Sequence, residues 1–159
     1  MGNLLIFAPE GTGCTYEGNV VINGMAEKIS LTHGKGFRSP QAFKAKDITY
    51  KRNFSMKSGN KINAAGWEAI VLPFDVQSFS NEKQGELAPF NSGKKGVKPF
   101  WLAQMTTDGF EHTTAMKANK PYIISLPNSE SYEDEFNISG EVQFHAEDAG
   151  GVEVKATSY

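Results

Sequence analysis

The sequence lacks the features that mark disulfide-rich, membrane-spanning and nucleic-acid-binding proteins. A single cysteine, Cys14, excludes an internal disulfide framework and a metal site made of several cysteines. No apolar run approaches the roughly 18 residues of a transmembrane helix. Residues 1–10 have neither the basic start nor the apolar length of a signal peptide. A net charge of −2 excludes a globally basic binder of nucleic acid.

What the sequence does contain is enough apolar material for one folded domain. Of its 159 residues, 39% are hydrophobic and 11% are aromatic. This separates it from disordered chains, whose apolar area cannot offset the entropy of ordering. The length fits a single domain, and no repeat or linker divides it. We therefore expect residues 1–159 to form one module, cut from a longer exported protein whose signal peptide lies outside this sequence.

Helical periodicity is nearly absent, and short alternating segments between turn-forming residues predict an all-β fold. We expect an antiparallel β-sandwich of jelly-roll type with little or no helix. The cleanest alternation covers 136–146, where Phe136 begins an apolar, inward-facing series at even positions. Residues 147–151 then predict a turn, and 152–157 the second strand of a C-terminal hairpin.

Other segments carry the same signal. The dipeptide Asn23-Gly24 supplies the two positive-φ residues of a type I′ turn and predicts a hairpin. The end of the segment 67–72 is apolar at both alternating phases, which predicts a central strand covered on both faces. The segments 78–97 and 127–134 predict loops. The remaining predicted strands are 47–55, 99–105, 110–116 and 121–126.

One charged residue falls on the inward phase of the predicted strand 47–55. Arg52 shares that phase with Ile48. A buried guanidinium requires carboxylate or carbonyl partners. We therefore expect Arg52 to be bonded to a carboxylate such as Glu68 or Asp75.

No motif assigns a reaction. Residues 10–14 lack the Gly-Lys-Ser/Thr ending of a phosphate-binding loop, and Cys14 has no histidine close in sequence to act as its base. His33, His112 and His145 lack the close spacing of zinc ligands, so a metal site stays open only through convergence in space. The sequence accordingly predicts no catalytic residue, no cofactor and no metal ligand.

The two tryptophans have two interpretations. An exposed indole can pack on the face of a sugar ring, so Trp67 and Trp101 are candidate glycan-binding residues. Both also lie in strongly apolar segments, which favours a place in the core. Truncating a buried tryptophan to alanine costs about 3–5 kcal/mol. The exposure of the two indoles decides between these interpretations.

Charge is unevenly distributed along the chain. Residues 28–61 are rich in lysine and arginine, whereas 121–154 contains acidic residues and no lysine or arginine. We favour pairing of the two segments, or their placement on separate solvated faces. The alternative is a basic patch for an anionic glycan or another polyanion, with Arg38, Lys44 and Lys46 as its candidate contacts.

Several segments together resemble a known family. They are 16–24, 43–45 with 48–54, 66–76, 118–124 and 138–146. They include the runs Trp-Glu-x-Ile-x-Leu-Pro-Phe-Asp-Val and Asn-Lys-Pro-Tyr-Ile-Ile. They resemble the all-β modules near the C-terminal end of large secreted or surface proteins of Bacteroides-type gut bacteria, which often accompany leucine-rich-repeat or adhesin-like regions. The resemblance implies export and a place on the cell surface, and it implies no catalytic residue.

Three functional hypotheses follow. The first is a non-catalytic module of a bacterial surface or secreted protein, with a structural, adhesion or assembly role and another surface protein as its partner. The second is a carbohydrate-binding module that uses exposed aromatic residues. The third is a hydrolase without a recognisable motif. We expect a protein that is not an enzyme, with neither a nucleic-acid partner nor a transmembrane segment.

The pairing of the two charged segments leads to a first test. We expect the protein to pass through a heparin column at low salt without retention, because paired or dispersed cations do not concentrate a polyanion. Retention that falls steeply with added salt would instead establish the basic patch.

Overall fold

The computed structural model describes residues 3–11, 18–58 and 66–157. Within these ranges the chain forms twelve strands and no helix, which confirms the all-β class. These ranges therefore offer no helix long and apolar enough to cross a membrane. The strands belong to one mixed sheet, in which most neighbours are antiparallel and four pairs are parallel. The jelly-roll-like sandwich stays a prediction.

The strand bounds and their order define the sheet. In chain order the strands are β1 Leu5–Ala8, β2 Asn19–Ile22, β3 Met25–Ala26, β4 Ile29–Thr32, β5 Phe43–Asn53, β6 Glu68–Ile70, β7 Ser78–Asn81, β8 Gly85–Pro89, β9 Lys98–Thr106, β10 Gly109–His112, β11 Tyr122–Ser125 and β12 Glu141–Val154. Across the sheet the order is β1-β2-β3-β5-β12-β7-β8-β9-β11-β6, with β4 paired to β5 and β10 paired to β9.

The two longest strands, β5 and β12, pair with each other in the middle of the sheet. Their antiparallel ladder runs from the pair Asn53 and Glu141 to the pair Phe43 and Val154. The buried side chains on its inward face are Phe43, Ala45, Ile48, Val142, Phe144, Ala146 and Val154. Since burying a Val, Ile or Phe side chain contributes about 1.5–3 kcal/mol, this ladder anchors the core.

The predicted C-terminal hairpin is wrong. β12 continues past Glu147 and pairs with β5 again from Val152, so the residues between them form a bulge and not a turn. Gly151 lies in the bulge at a φ of 97°, where an added Cβ would stand 2.6 Å from the Cβ of Lys44. A side chain has no space there, and glycine allows the bulge to close against β5.

The sequence pattern also starts this last strand too early. Phe136 is 42% exposed and lies in a turn. Its amide and that of Asn137 both donate to the carbonyl oxygen of Glu133, so the backbone is satisfied locally and not by a neighbouring strand. The strand begins at Glu141, after Gly140 in a left-handed conformation.

The hairpin predicted at Asn23-Gly24 is confirmed. Both residues have positive φ values, 52° and 75°, and Ile22 pairs with Met25 across the turn. β3 then also pairs in parallel with β5, which attaches the hairpin to the middle of the sheet.

The segment 67–72 forms an edge strand, and the prediction of a central strand is wrong. β6 has three residues and lies at the end of the strand order, beside β11. Ile70 and Leu72 are buried, but Val71 is 55% exposed. The segment is apolar at both phases because one face packs on the core and the other face is open.

Part of the segment 78–97, predicted as a loop, is strand. β7 pairs with β12, and β8 pairs with β7. In β7 the large apolar side chain is Phe79, whose ring centre lies 5.6 Å from that of Phe144. One aromatic residue among serines and an asparagine gives no visible alternation. The loop predicted at 127–134 is confirmed.

The sheet folds back on itself around one core. β6 is six positions away from β5 in the strand order, yet the Arg52 side chain of β5 contacts it directly. The guanidinium donates to the carbonyl oxygen of Ala69 at 2.9 Å and to Oε1 of Glu68 at 3.0 Å. It also lies 4.8 Å from the ring centre of Phe54. The prediction of a carboxylate partner for Arg52 is confirmed, and the partner is Glu68.

Glu68→Ala is expected to destabilise the protein by about 3–5 kcal/mol, because it leaves a buried guanidinium without its counter-charge. The Arg52 side chain is 7% exposed and that of Glu68 13%. Urea denaturation measures the loss. The matched control is Glu86→Ala, which removes the partner of Lys94 from a half-exposed pair and is expected to cost less than about 1 kcal/mol. Equally small losses in both variants would contradict the buried pair.

Candidate functional site

Four adjacent strands, β6, β11, β9 and β10, turn one face to the core and the other outward. Their registers align the residues in rows, which alternate between the two faces. The core-facing rows contain buried residues such as Ile70, Ile124 and Leu102. Three rows face outward, and each row takes one residue from, or just beyond the end of, β6, β11, β9 and β10 in that order. The first row is Trp67, Ser125, Trp101 and Thr114. The second is Ala69, Ile123, Ala103 and His112, and the third is Val71, Pro121, Met105 and Phe110. We call these twelve residues the aromatic face.

Both tryptophans are partly exposed on this face. The ring centres of Trp67 and His112 are 6.5 Å apart with their planes at 51°, and those of Trp101 and Tyr132 are 5.7 Å apart at 57°. β6 and β10 are separated by two strands, so Trp67 and His112 lean toward each other across the sheet. Ala103 lies between them and is 2% exposed. The indoles thus cover the sheet without entering the core.

The sheet sets the distance between the backbone positions of the two tryptophans. Ser125 pairs with Trp101, and continuing the register of β11 with β6 by one residue brings Trp67 to the other side of Ser125, so the two backbone positions lie about two strand spacings, or about 10 Å, apart. Ser125 itself is 1% exposed. The structure therefore brings together two of the residues that the sequence identifies as glycan-binding candidates.

The outermost row of the aromatic face is apolar and exposed. Val71, Met105 and Phe110 are 55%, 61% and 55% exposed, and Met105 lies directly opposite Phe110. None of the twelve face residues is charged, whereas the solvated face of an antiparallel sheet is normally polar. Exposed apolar patches are typical of interaction surfaces when they are large, which makes this row a candidate.

The three basic candidates lie away from the aromatic face. Lys46 donates to Glu27 at 2.8 Å, and Lys44 is opposite Glu153 on the ladder between β5 and β12. Arg38 is exposed and lines an apolar cleft near the first strand. Two of the three cations thus have an acidic neighbour.

A cleft of about 450 Å³ opens beside β4 and β5, and His33 and Tyr50 line it. The Nδ1 atom of His33 lies 2.8 Å from the hydroxyl of Tyr50. Burial, together with the charge of Arg52, lowers the pKa of His33, and burial raises the pKa of Tyr50. The pair offers hydrogen-bonding groups to a ligand in the cleft.

The three histidines do not converge on one site. His33 lines the cleft, and His112 lies on the aromatic face. The Nε2 atom of His145 lies 3.1 Å from Oδ2 of Asp47 on the central ladder. Cys14, with most of the segment that weakly resembles a phosphate loop, lies outside the described residues.

Sequence reasoning identifies the two tryptophans but misses the surface that contains them. Met105, Phe110 and His112 join that surface because β9 and β10 pair antiparallel. The signal in the sequence that could have revealed this surface is the apolar character of 67–72 and 121–126 at both phases of the strand alternation. For strands near an edge, this pattern means one face in the core and a second, uncovered apolar face.

Comparison of the chain with known protein families, with curated proteins and with solved structures found no match. The site is therefore interpreted from its own chemistry. Two partly exposed indoles on one outward face can hold the apolar face of a ligand, while the imidazole of His112, beside Trp67 on that face, can bond polar groups.

The lowered pKa of His33 predicts a loss of stability in acid. The unfolded chain takes up this proton near the ordinary value of 6.5, and the folded protein takes it up only at lower pH. Between these values the unfolded chain binds more protons, so the free energy of unfolding falls as the pH falls. When the pH is lowered from about 7 to about 5, the unfolding temperature of the parent protein should therefore fall more than that of His33→Gln. Equal slopes would contradict this contribution.

Proposed function

We propose that the chain is a non-catalytic adhesion module of an exported bacterial surface protein and that it holds a neutral glycan on the aromatic face. The observation that carries the proposal is the placement of Trp67 and Trp101 on one outward face with no charged residue. The resemblance to modules of secreted and surface proteins supports the location.

The chemistry of the aromatic face matches that of a sugar. A sugar ring presents C–H groups on its faces and hydroxyl groups at its edge, and an indole packs against the C–H groups. His112 and Thr114 provide hydrogen-bonding groups for the hydroxyls. The lack of charge among the face residues favours a neutral sugar over an acidic one, because an anion without a counter-charge would lose its hydration uncompensated.

The size of the aromatic face also favours a glycan. Four strands and five residue levels span roughly 15–20 Å in each direction. That area is well below the roughly 800 Å² that each partner buries in a standard protein interface.

The carboxylate of Asp75, which lines another cleft, has a structural role. The carboxylate of Asp75 accepts hydrogen bonds from the amide of Ala118 at 2.8 Å and from Nζ of Lys117 at 3.2 Å. These contacts, led by the amide, lower the pKa of Asp75. The group therefore stays ionised, as a structural cap on the backbone and not as a proton donor.

Affinity electrophoresis in gels that contain neutral glucans, mannans or xylans tests the proposal. We expect retardation by at least one of them. Trp101→Ala and Met105→Ser should weaken binding at least about tenfold, which corresponds to about 1.4 kcal/mol. The matched control is Phe90→Ala, which removes a 51% exposed aromatic ring outside the face and should leave binding unchanged. Thermal unfolding confirms that each variant is folded.

A structural or assembly role is the second candidate, and the exposed row Val71, Met105 and Phe110 favours it. Protein interfaces are enriched in aromatic residues and methionine and are depleted of charge at their centre. Sedimentation equilibrium separates the two roles. Self-association that Met105→Ser abolishes, with no retardation by any neutral glycan, would replace adhesion by assembly.

A further inference from the structure

We propose that Asp47, His145 and Glu147 form a binding site for a divalent transition-metal ion of the zinc type. The site lies on the outward side of the ladder between β5 and β12. One nitrogen of the imidazole and one oxygen of each carboxylate all lie within 4.8 Å of one another. The proposal is independent of the aromatic face, which is built from other strands.

The backbone places the three side chains together. Side chains two residues apart on a strand point to the same side, which puts His145 beside Glu147. The register of the ladder puts Asp47 directly opposite Glu147. The bulge of β12 starts immediately after Glu147, and bulges are frequent next to functional sites because they redirect side chains.

The separation of the first two ligand atoms is close to what a metal ion requires. Nε2 of His145 and Oδ2 of Asp47 are 3.1 Å apart. Two ligand atoms at about 2.0–2.2 Å from a tetrahedral zinc ion lie about 3.3–3.5 Å from each other. A small outward shift of this pair and a rotation of the Glu147 side chain would complete a three-ligand set.

The two neighbouring carboxylates of Asp47 and Glu147 favour the binding of a cation between them. Carboxylates directly opposite each other on neighbouring strands repel, and Asp47 and Glu147 form such a pair. Among the described residues, the ion pair of Asp47 is with His145, and Glu147 has none. Lys46, next in the chain, is bonded to Glu27 instead.

The backbone of the ligands is held on both sides. The amide of Gln77 donates to the carbonyl oxygen of His145 at 2.9 Å, and Oε1 of Gln77 accepts from the amide of Glu147 at 3.0 Å. His145 lies opposite Thr49 on β5 and opposite Ser78 on β7. This support holds the backbone of two of the ligands in position, which limits the conformational freedom that is lost on binding.

The donor set selects the class of ion. Calcium and magnesium prefer sites made of oxygen atoms, whereas one imidazole nitrogen with two carboxylates suits zinc and related ions. Three protein ligands leave a coordination position for water or for an oxygen of a bound molecule. Gln77 and Asp148, beside the set, also line a neighbouring cleft of about 350 Å³.

Isothermal titration calorimetry with Zn²⁺, on protein without an affinity tag and treated with chelator, tests the site. We expect one ion per chain. Asp47→Asn, His145→Gln and Glu147→Gln should each weaken binding by at least about tenfold, since loss of even an outer-shell partner costs 10–100-fold. Glu153→Gln, an exposed carboxylate on the same strand outside the set, is the matched control and should bind as the parent does.

A second readout is the unfolding temperature. Zn²⁺ should raise it in the parent protein and in Glu153→Gln, because binding to the folded state alone stabilises it, and should raise it clearly less in His145→Gln. Circular dichroism verifies the fold of each variant. No stoichiometric binding to the parent, or binding that survives all three substitutions, would overturn the proposal.

Discussion

The antiparallel ladder between β5 and β12 is the constraint on which the rest of the structure depends. It joins segments about 100 residues apart in the chain, since Phe43 pairs with Val154. Through β12 it holds β7, β8 and the strands beyond them, and through β5 it holds β3 and β4. Its inward side chains form the middle of the core. Its outward side carries Asp47 and His145, so one ladder determines both the packing of the core and the placement of the groups proposed to bind a metal ion.

Local signals in the sequence predict local features correctly. Asn23-Gly24 forms its turn because positive φ is a property of two neighbouring residues, and Arg52 finds Glu68 because a buried cation requires a counter-charge wherever the chain folds. Errors arise where the answer depends on a distant partner. A strand that is apolar at both phases has the same pattern in the middle of a sheet as at an edge with an open apolar face. Bulges and turns are likewise built from similar residue types, so composition alone does not separate a bulge in β12 from a turn.

In the candidate site, too, some features follow from residue type and others depend on a distant part of the chain. Trp67 and Trp101 are recognisable from residue type alone, but their meeting on one face depends on β11, which lies between their strands. The proposed metal ligands are even less visible in sequence, because Asp47 and His145 are 98 residues apart. No spacing rule reaches that far, and only the register of the ladder brings them together.

The short strands at the borders of the sheet have a consequence for the behaviour of the protein at high concentration. β6 has three residues and is followed at a short distance by Pro73, while β1 and β10 have four each. A strand from another molecule would find few unpaired amides there and, beside β6, a proline that cannot donate. Short edges of this kind disfavour backbone pairing with another molecule, even though the neighbouring sheet face is apolar and exposed.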